Sequence, residues 1–171
     1  MNQLEGKSFV ASVSIATPMF AGPVVVSEYD NLLGSGWLMA GEKGALPVSL
    51  QFDYQQHGED RIMYRIKAGP DAGKRAGDTL GLSRNDYLGL YREAEVTEGW
   101  KMELIDYNEA AGQLRFFLRD HEGHRVAVPL RVCTPYPKFD SPVQCRQERF
   151  LIAGKREGTV LEFTATIENF L

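Results

Sequence analysis

The chain has 171 residues, of which 43% are hydrophobic and 25% charged, with a formal net charge of −4 and a pI near 5.4. That length suits one domain hiding roughly two-thirds of its unfolded surface, and the composition excludes a disordered or fibrous chain. The tightest basic pair, Lys74-Arg75, lies in a Gly-rich loop; it is too small a footprint to track phosphates, so no nucleic-acid partner is expected.

The N-terminus, MNQLEGKSF, has no basic run ahead of a long apolar one, so no cleaved leader is read. Residues 9–26 are interrupted by Ser12, Ser14, Thr17, Pro18 and Pro23, too polar for a membrane span. The expectation is a cytoplasmic protein, or one exported without a cleaved signal peptide. Within this stretch Phe9, Ala11, Val13 and Ile15 alternate with Val10, Ser12 and Ser14, the period-two pattern of a half-buried strand. A short strand at 24–26 follows, then Trp37-Leu38-Met39-Ala40, then a strand through Leu50, Phe52 and Tyr54. Asp53-Tyr54-Gln55 and His57 stand where this unit joins the next.

A second alternating strand carries Ile62, Tyr64 and Ile66. The loop Gly69-Pro70-Asp71-Ala72-Gly73-Lys74-Arg75 fails as a phosphate loop. Three residues separate its glycines where four are needed, and Arg75 stands where Ser or Thr would hold magnesium. A strand at 80–82 leads to Tyr87-Leu88-Gly89-Leu90 and a strand through Trp100, Met102 and Leu104. A weak helix signal over 91–106 is crossed by Gly99, and Asp106-Tyr107-Asn108 ends the unit.

The third stretch begins with Leu114, Phe116 and Leu118. Asp120-His121-Glu122-Gly123-His124 reads as an exposed hairpin turn, with Gly123 in a left-handed position, rather than as a metal site. A strand at 126–128 precedes an insertion, 132–147, in which Cys133 and Cys145 flank a loop with three prolines. Two states are open to this pair: one disulfide closing the loop, or two reduced thiols. Phe150-Leu151-Ile152-Ala153 and a strand through Phe163, Ala165 and Ile167 lead to Glu168-Asn169-Phe170.

These units repeat one another. Three segments begin with an aromatic–Leu pair, at Leu38, Leu88 and Leu151. Twelve residues on lie Leu50, Trp100 and Phe163; fourteen on, Phe52, Met102 and Ala165; sixteen on, Tyr54, Leu104 and Ile167. All nine positions are apolar or aromatic. Trp37, Tyr87, Phe150 and Trp100 are expected in the core.

A four-strand unit cannot bury its apolar face alone, whereas three units can close a barrel and cap it, leaving no exposed edge. In this the chain resembles the β-trefoil superfamily. The resemblance implies an all-β fold of about twelve strands in three pseudo-repeats around a threefold axis, a single domain with repeats at approximately 8–57, 58–110 and 111–171. The alternatives are a lipocalin-like barrel or a β-sandwich.

No nucleophile elbow or protease-like cysteine appears, so no catalytic residue, cofactor or metal is assigned and the chain is read as a non-catalytic binding module. Trefoils often present a shallow sugar site per repeat, built from an acid, an amide and an aromatic ring. Carboxylates and amides bond sugar hydroxyls, and a ring covers the apolar side. The ligand candidates are Asp53, Tyr54, Gln55, His57, Asp106, Tyr107 and Asn108, with a glycan or protein as partner. The Gln-x-Trp signature of ricin-B-like lectins is absent. The alternative is a proteinase inhibitor similar to Kunitz-type or mycocypin trefoils, acting through Tyr136, Lys138 and Phe139. Oligomeric state is not legible.

Overall fold

A computed structural model describes residues 3–27, 36–92, 99–130, 132–133 and 145–171. Fourteen strands follow in chain order: β1 (Phe9–Ile15), β2 (Gly22–Val26), β3 (Leu38–Ala40), β4 (Ser49–His57), β5 (Ile62–Ala68), β6 (Thr79–Leu82), β7 (Leu88–Tyr91), β8 (Trp100–Asn108), β9 (Gln113–Arg119), β10 (Ala127–Pro129), β11 (Val132–Cys133), β12 (Cys145–Arg146), β13 (Gly158–Val160) and β14 (Phe163–Phe170). Among the described residues helix is confined to two single turns of 3-10 type, at Pro18–Phe20 and Gly73–Arg75.

Six strands close on themselves. β1 pairs antiparallel with β14 and β4, β14 with β9, β9 with β8, β8 with β5, and β5 with β4. A closed ring exposes no edge to another chain, and six strands leave an interior that side chains alone can fill. This is neither a two-sheet sandwich nor an eight-strand meander. The remaining strands are short attachments. β2 joins β1 to β3, β6 joins β5 to β7, and β10 pairs with β13.

The sequence spacing has a direct structural counterpart. Leu38, Leu88 and Leu151 are 2%, 1% and 1% exposed, and the segments around them bridge one another. The residue before each leucine pairs with the residue after the next: Trp37 with Gly89, Tyr87 with Ile152, and Phe150 with Met39. Leu88 N donates to the Leu151 carbonyl and Leu151 N to the Leu38 carbonyl, both at 3.0 Å. The apolar residues twelve and fourteen positions on are buried in every copy. Seventeen positions on, each copy carries one unpaired bulge residue, Gln55, Ile105 and Glu168, where the ladder slips by one. A bulge lets both flanking stretches keep their apolar residues inward while one side chain is re-aimed.

Two expectations change. Trp37, Tyr87 and Phe150 are half-buried rather than fully enclosed. They pack on one another at the capped end, Trp37 stacked on Tyr87 at 4.4 Å and edge-on to Phe150 at 5.5 Å. Only Trp100 is deeply buried, its indole N–H held by the Leu80 carbonyl. In the third copy the aromatic–Leu segment makes isolated bridges instead of a strand, and β10 takes β13 as its ladder partner. The insertion separates the two halves of that unit in sequence. Arg149 ties its return to the cap by donating to the Ala40 and Gly41 carbonyls.

β11 and β12 pair so that Cys133 lies directly opposite Cys145. Opposed residues in an antiparallel ladder have Cα spacings of about 4.5–5.5 Å, inside the range a disulfide bridges.

Inside the barrel, Phe9 stacks on Phe52 at 4.8 Å, and Tyr64 meets both edge-on. The Tyr64 hydroxyl is buried without a hydrogen-bond partner among the described residues. Burial, with Tyr54 nearby, pushes its phenol far above the ordinary value. An unsatisfied buried hydroxyl costs about 1–3 kcal/mol. Tyr64→Phe is therefore expected to leave the melting midpoint unchanged or raise it; a drop of several degrees in a thermal melt would mean the hydroxyl is bonded in solution.

Candidate functional site

Adjacent residues on a strand point to opposite faces, and this separates the members of each acid–aromatic–amide triple. Asp53 is on the outer wall, 3.0 Å from Lys67 Nζ, and accepts a hydrogen bond from Gln51. Tyr54 turns the other way and packs on the core, edge-on to Tyr64. Gln55 occupies the bulge, with its amide against Gly99, where any Cβ would collide with it. His57 is exposed at the end of β4. On β8, Tyr107 packs against the core, where burial and the nearby Glu109 carboxylate raise its phenol. Asp106 and Asn108 are exposed and line a polar depression of about 270 Å³ with Arg115 and Thr164. Asn108 also accepts from Ala111 N, closing the turn after the strand. The two triples thus sit on different strands and do not share one site. Tyr136, Lys138 and Phe139 lie outside the described residues.

The register also corrects which acids correspond. Fifteen residues after the cap leucines stand Asp53 and Glu103, each paired to a cation on the neighbouring strand. Glu103 accepts from Arg119 and Arg125, each at 2.8 Å. Burial pushes its carboxyl up, but the two guanidinium groups outweigh that and hold it below the usual range. Asp120, expected in an exposed turn, is 2% exposed, and its carboxylate accepts from His124 N and faces His124 Nδ1 at 3.1 Å. Among the described residues no three His, Cys, Asp or Glu side chains converge as a metal would need.

Among the described residues, two adjoining clefts flank the 69–75 loop. One cleft, about 510 Å³, is lined by Ser12, Ser49 and Glu168 together with Val25, Leu46 and Pro47, and by Asp71 and Arg75 of the loop. Glu168 is the bulge residue of β14, so its side chain leaves the ladder and meets two strands at once. Ser12 Oγ on β1 donates to Oε1, and Ser49 Oγ at the start of β4 donates to Oε2 at 3.2 Å. Leu46, 90% exposed, adds apolar surface to the lining. A second cleft, about 680 Å³, adjoins the first through Ala72, Arg75 and Leu90 and adds Lys74, Asp78, Tyr91 and Arg92.

The other two bulges offer no such arrangement. The residues eleven positions after the cap leucines are Ser49, Gly99 and Glu162. At the first, a hydroxyl meets the bulge carboxylate; at the second, the Gln55 amide fills the space over Gly99; at the third, Ile105 is 42% exposed and Glu162 is taken by Arg115 at 2.6 Å. Ser12 and Ser49 went unread in the sequence because only the bulge brings Glu168 between them. The one available signal was the shared seventeen-residue spacing of Gln55, Ile105 and Glu168.

Comparison with family models, with curated proteins and with solved structures finds no match for this chain.

The Glu103 cluster fixes a pH dependence. A carboxyl whose folded value is depressed stabilises the fold above its ordinary value, and the gain is lost as pH falls through the folded value. Glu103→Gln is expected to lower the melting midpoint at neutral pH, with the gap to the parent closing below the ordinary carboxylate range. A gap constant from neutral to strongly acid pH would contradict the ion-pair assignment.

Proposed function

We propose that this chain is a β-trefoil acting as a non-catalytic, carbohydrate-binding module, with one site at the Glu168 groove. Support for the fold reading comes from the closed six-strand barrel together with the leucine bridges and the bulge, each recurring three times at fixed spacing. Fold alone licenses only an analogy for function, so the functional reading rests on the groove.

The observation that carries it is an exposed carboxylate fixed by two hydroxyls in a cleft that apolar Val25, Leu46 and Pro47 also line. A sugar presents hydroxyls on its rim and C–H groups on its faces. A carboxylate held in place accepts from the hydroxyls as a charge-assisted acceptor, and apolar surface covers the C–H side. Positioning by Ser12 and Ser49 lowers the ordering cost of binding. Both serines donate to the same carboxylate, and no histidine is among the described residues of the groove. That favours a hydrogen-bonding platform over a nucleophile with its base.

A glycan array followed by calorimetric titration tests this. The expected result is saturable binding at one site per chain, weakened about tenfold or more by Glu168→Gln, consistent with loss of a charged hydrogen bond. A silent array, with trypsin inhibition lost on Lys138→Ala, would replace this reading with the inhibitor one.

A further inference from the structure

We propose that the ligand of this groove is a short acidic saccharide, its carboxylate or sulfate held at the Lys74–Arg92 end while Glu168 takes its hydroxyls. The inference rests on the carbohydrate reading and adds the ligand's charge to it.

Hairpin topology assembles the basic end. β6 and β7 pair from Thr79↔Tyr91 to Leu82↔Leu88, so the segment entering β6 and the segment leaving β7 lie side by side. The 3-10 turn Gly73–Arg75 contributes two consecutive cations from the entering segment, and Arg92 follows the last residue of β7. The described lining of this cleft therefore holds Lys74, Arg75 and Arg92 against one acid, Asp78. Asp78 is 8% exposed and lies 3.8 Å from Arg75 Nη1. Arg75 is anchored further by the Leu90 carbonyl and by close approach to Gly36, where a Cβ would come within 2.5 Å of its guanidinium. Its charge is thus held at a set position. Lys74 and Arg92 are exposed, and among the described residues neither has an ion-pair partner.

Charge is divided along the groove. Glu168 and Asp71 line one cleft and Lys74 and Arg92 the other, with Ala72, Arg75 and Leu90 shared between them. A neutral sugar would leave Lys74 and Arg92 unanswered, while a long polyanion would run into Glu168 and meet a chain of net charge −4. A ligand with hydroxyls at one end and an anion at the other satisfies both. Uronates and sulfated sugars share that chemistry.

Titration of the full chain with trigalacturonate, its methyl ester and a sulfated neutral trisaccharide, at about 50 and 300 mM salt, separates the cases. The acidic ligands are expected to bind about tenfold tighter than the ester at low salt, with the difference shrinking at high salt. The tighter of the two acids names the anion. Lys74→Ala/Arg92→Ala should erase the difference while leaving ester binding in place, and Glu168→Gln should weaken all three. Both basic side chains are exposed, so an unchanged melting midpoint is expected; Lys74→Gln gives a milder second variant. Equal binding of acid and ester, unaffected by the double variant, would overturn the charge inference and leave the carbohydrate reading standing. No binding of any saccharide would overturn both.

Discussion

The ring of backbone contacts between the leucine segments is the constraint on which the rest of the structure depends. Six short strands can close a barrel, but an open end would leave the interior wet. Leu38, Leu88 and Leu151 come from segments far apart in the chain, and each segment bridges the next. Their backbone groups are satisfied by one another, so the leucine side chains stay buried without stranding polar atoms. The half-buried Trp37–Tyr87–Phe150 cluster lies beside this ring. Arg156 adds an outer layer, donating to the Tyr87 hydroxyl and lying 5.7 Å from its ring.

Much of this was legible in the sequence. Alternation at Phe9, Ile62 and Leu114 marked barrel strands because one face of each is buried and the other wet. The triplicated spacing from the cap leucines marked the inward layer for the same reason. What failed did so for identifiable physical causes. Asp53-Tyr54-Gln55 looked like a site because its residues are adjacent, yet adjacency in a strand sends neighbours to opposite faces. Asp106 was matched to Asp53 by composition, whereas the ladder aligns Asp53 with Glu103. Asp120 read as exposed because it is charged and lies in a turn, although His124 and its own backbone allow it to be buried.

The bulges explain why the three copies share a scaffold without sharing a surface. Each bulge releases one side chain from the ladder, and the identity of that residue decides what the boundary between copies becomes. Gln55 fills its own space, Ile105 stands beside an ion pair, and Glu168 is held by two serines at the edge of an open groove. Inward positions are constrained by packing with all their neighbours. Bulge positions meet only what lies across one boundary, and there the copies have diverged in chemistry.

Native-state hydrogen exchange tests the central constraint most directly, because amides in the most stable part of a fold open only with global unfolding. The amide hydrogens of Leu88 and Leu151, bonded across separate segments, should exchange as slowly as those of the barrel strand β9. Exchange of both at the rate of exposed loop amides, with β9 still protected, would contradict the claim that the leucine ring holds the barrel closed.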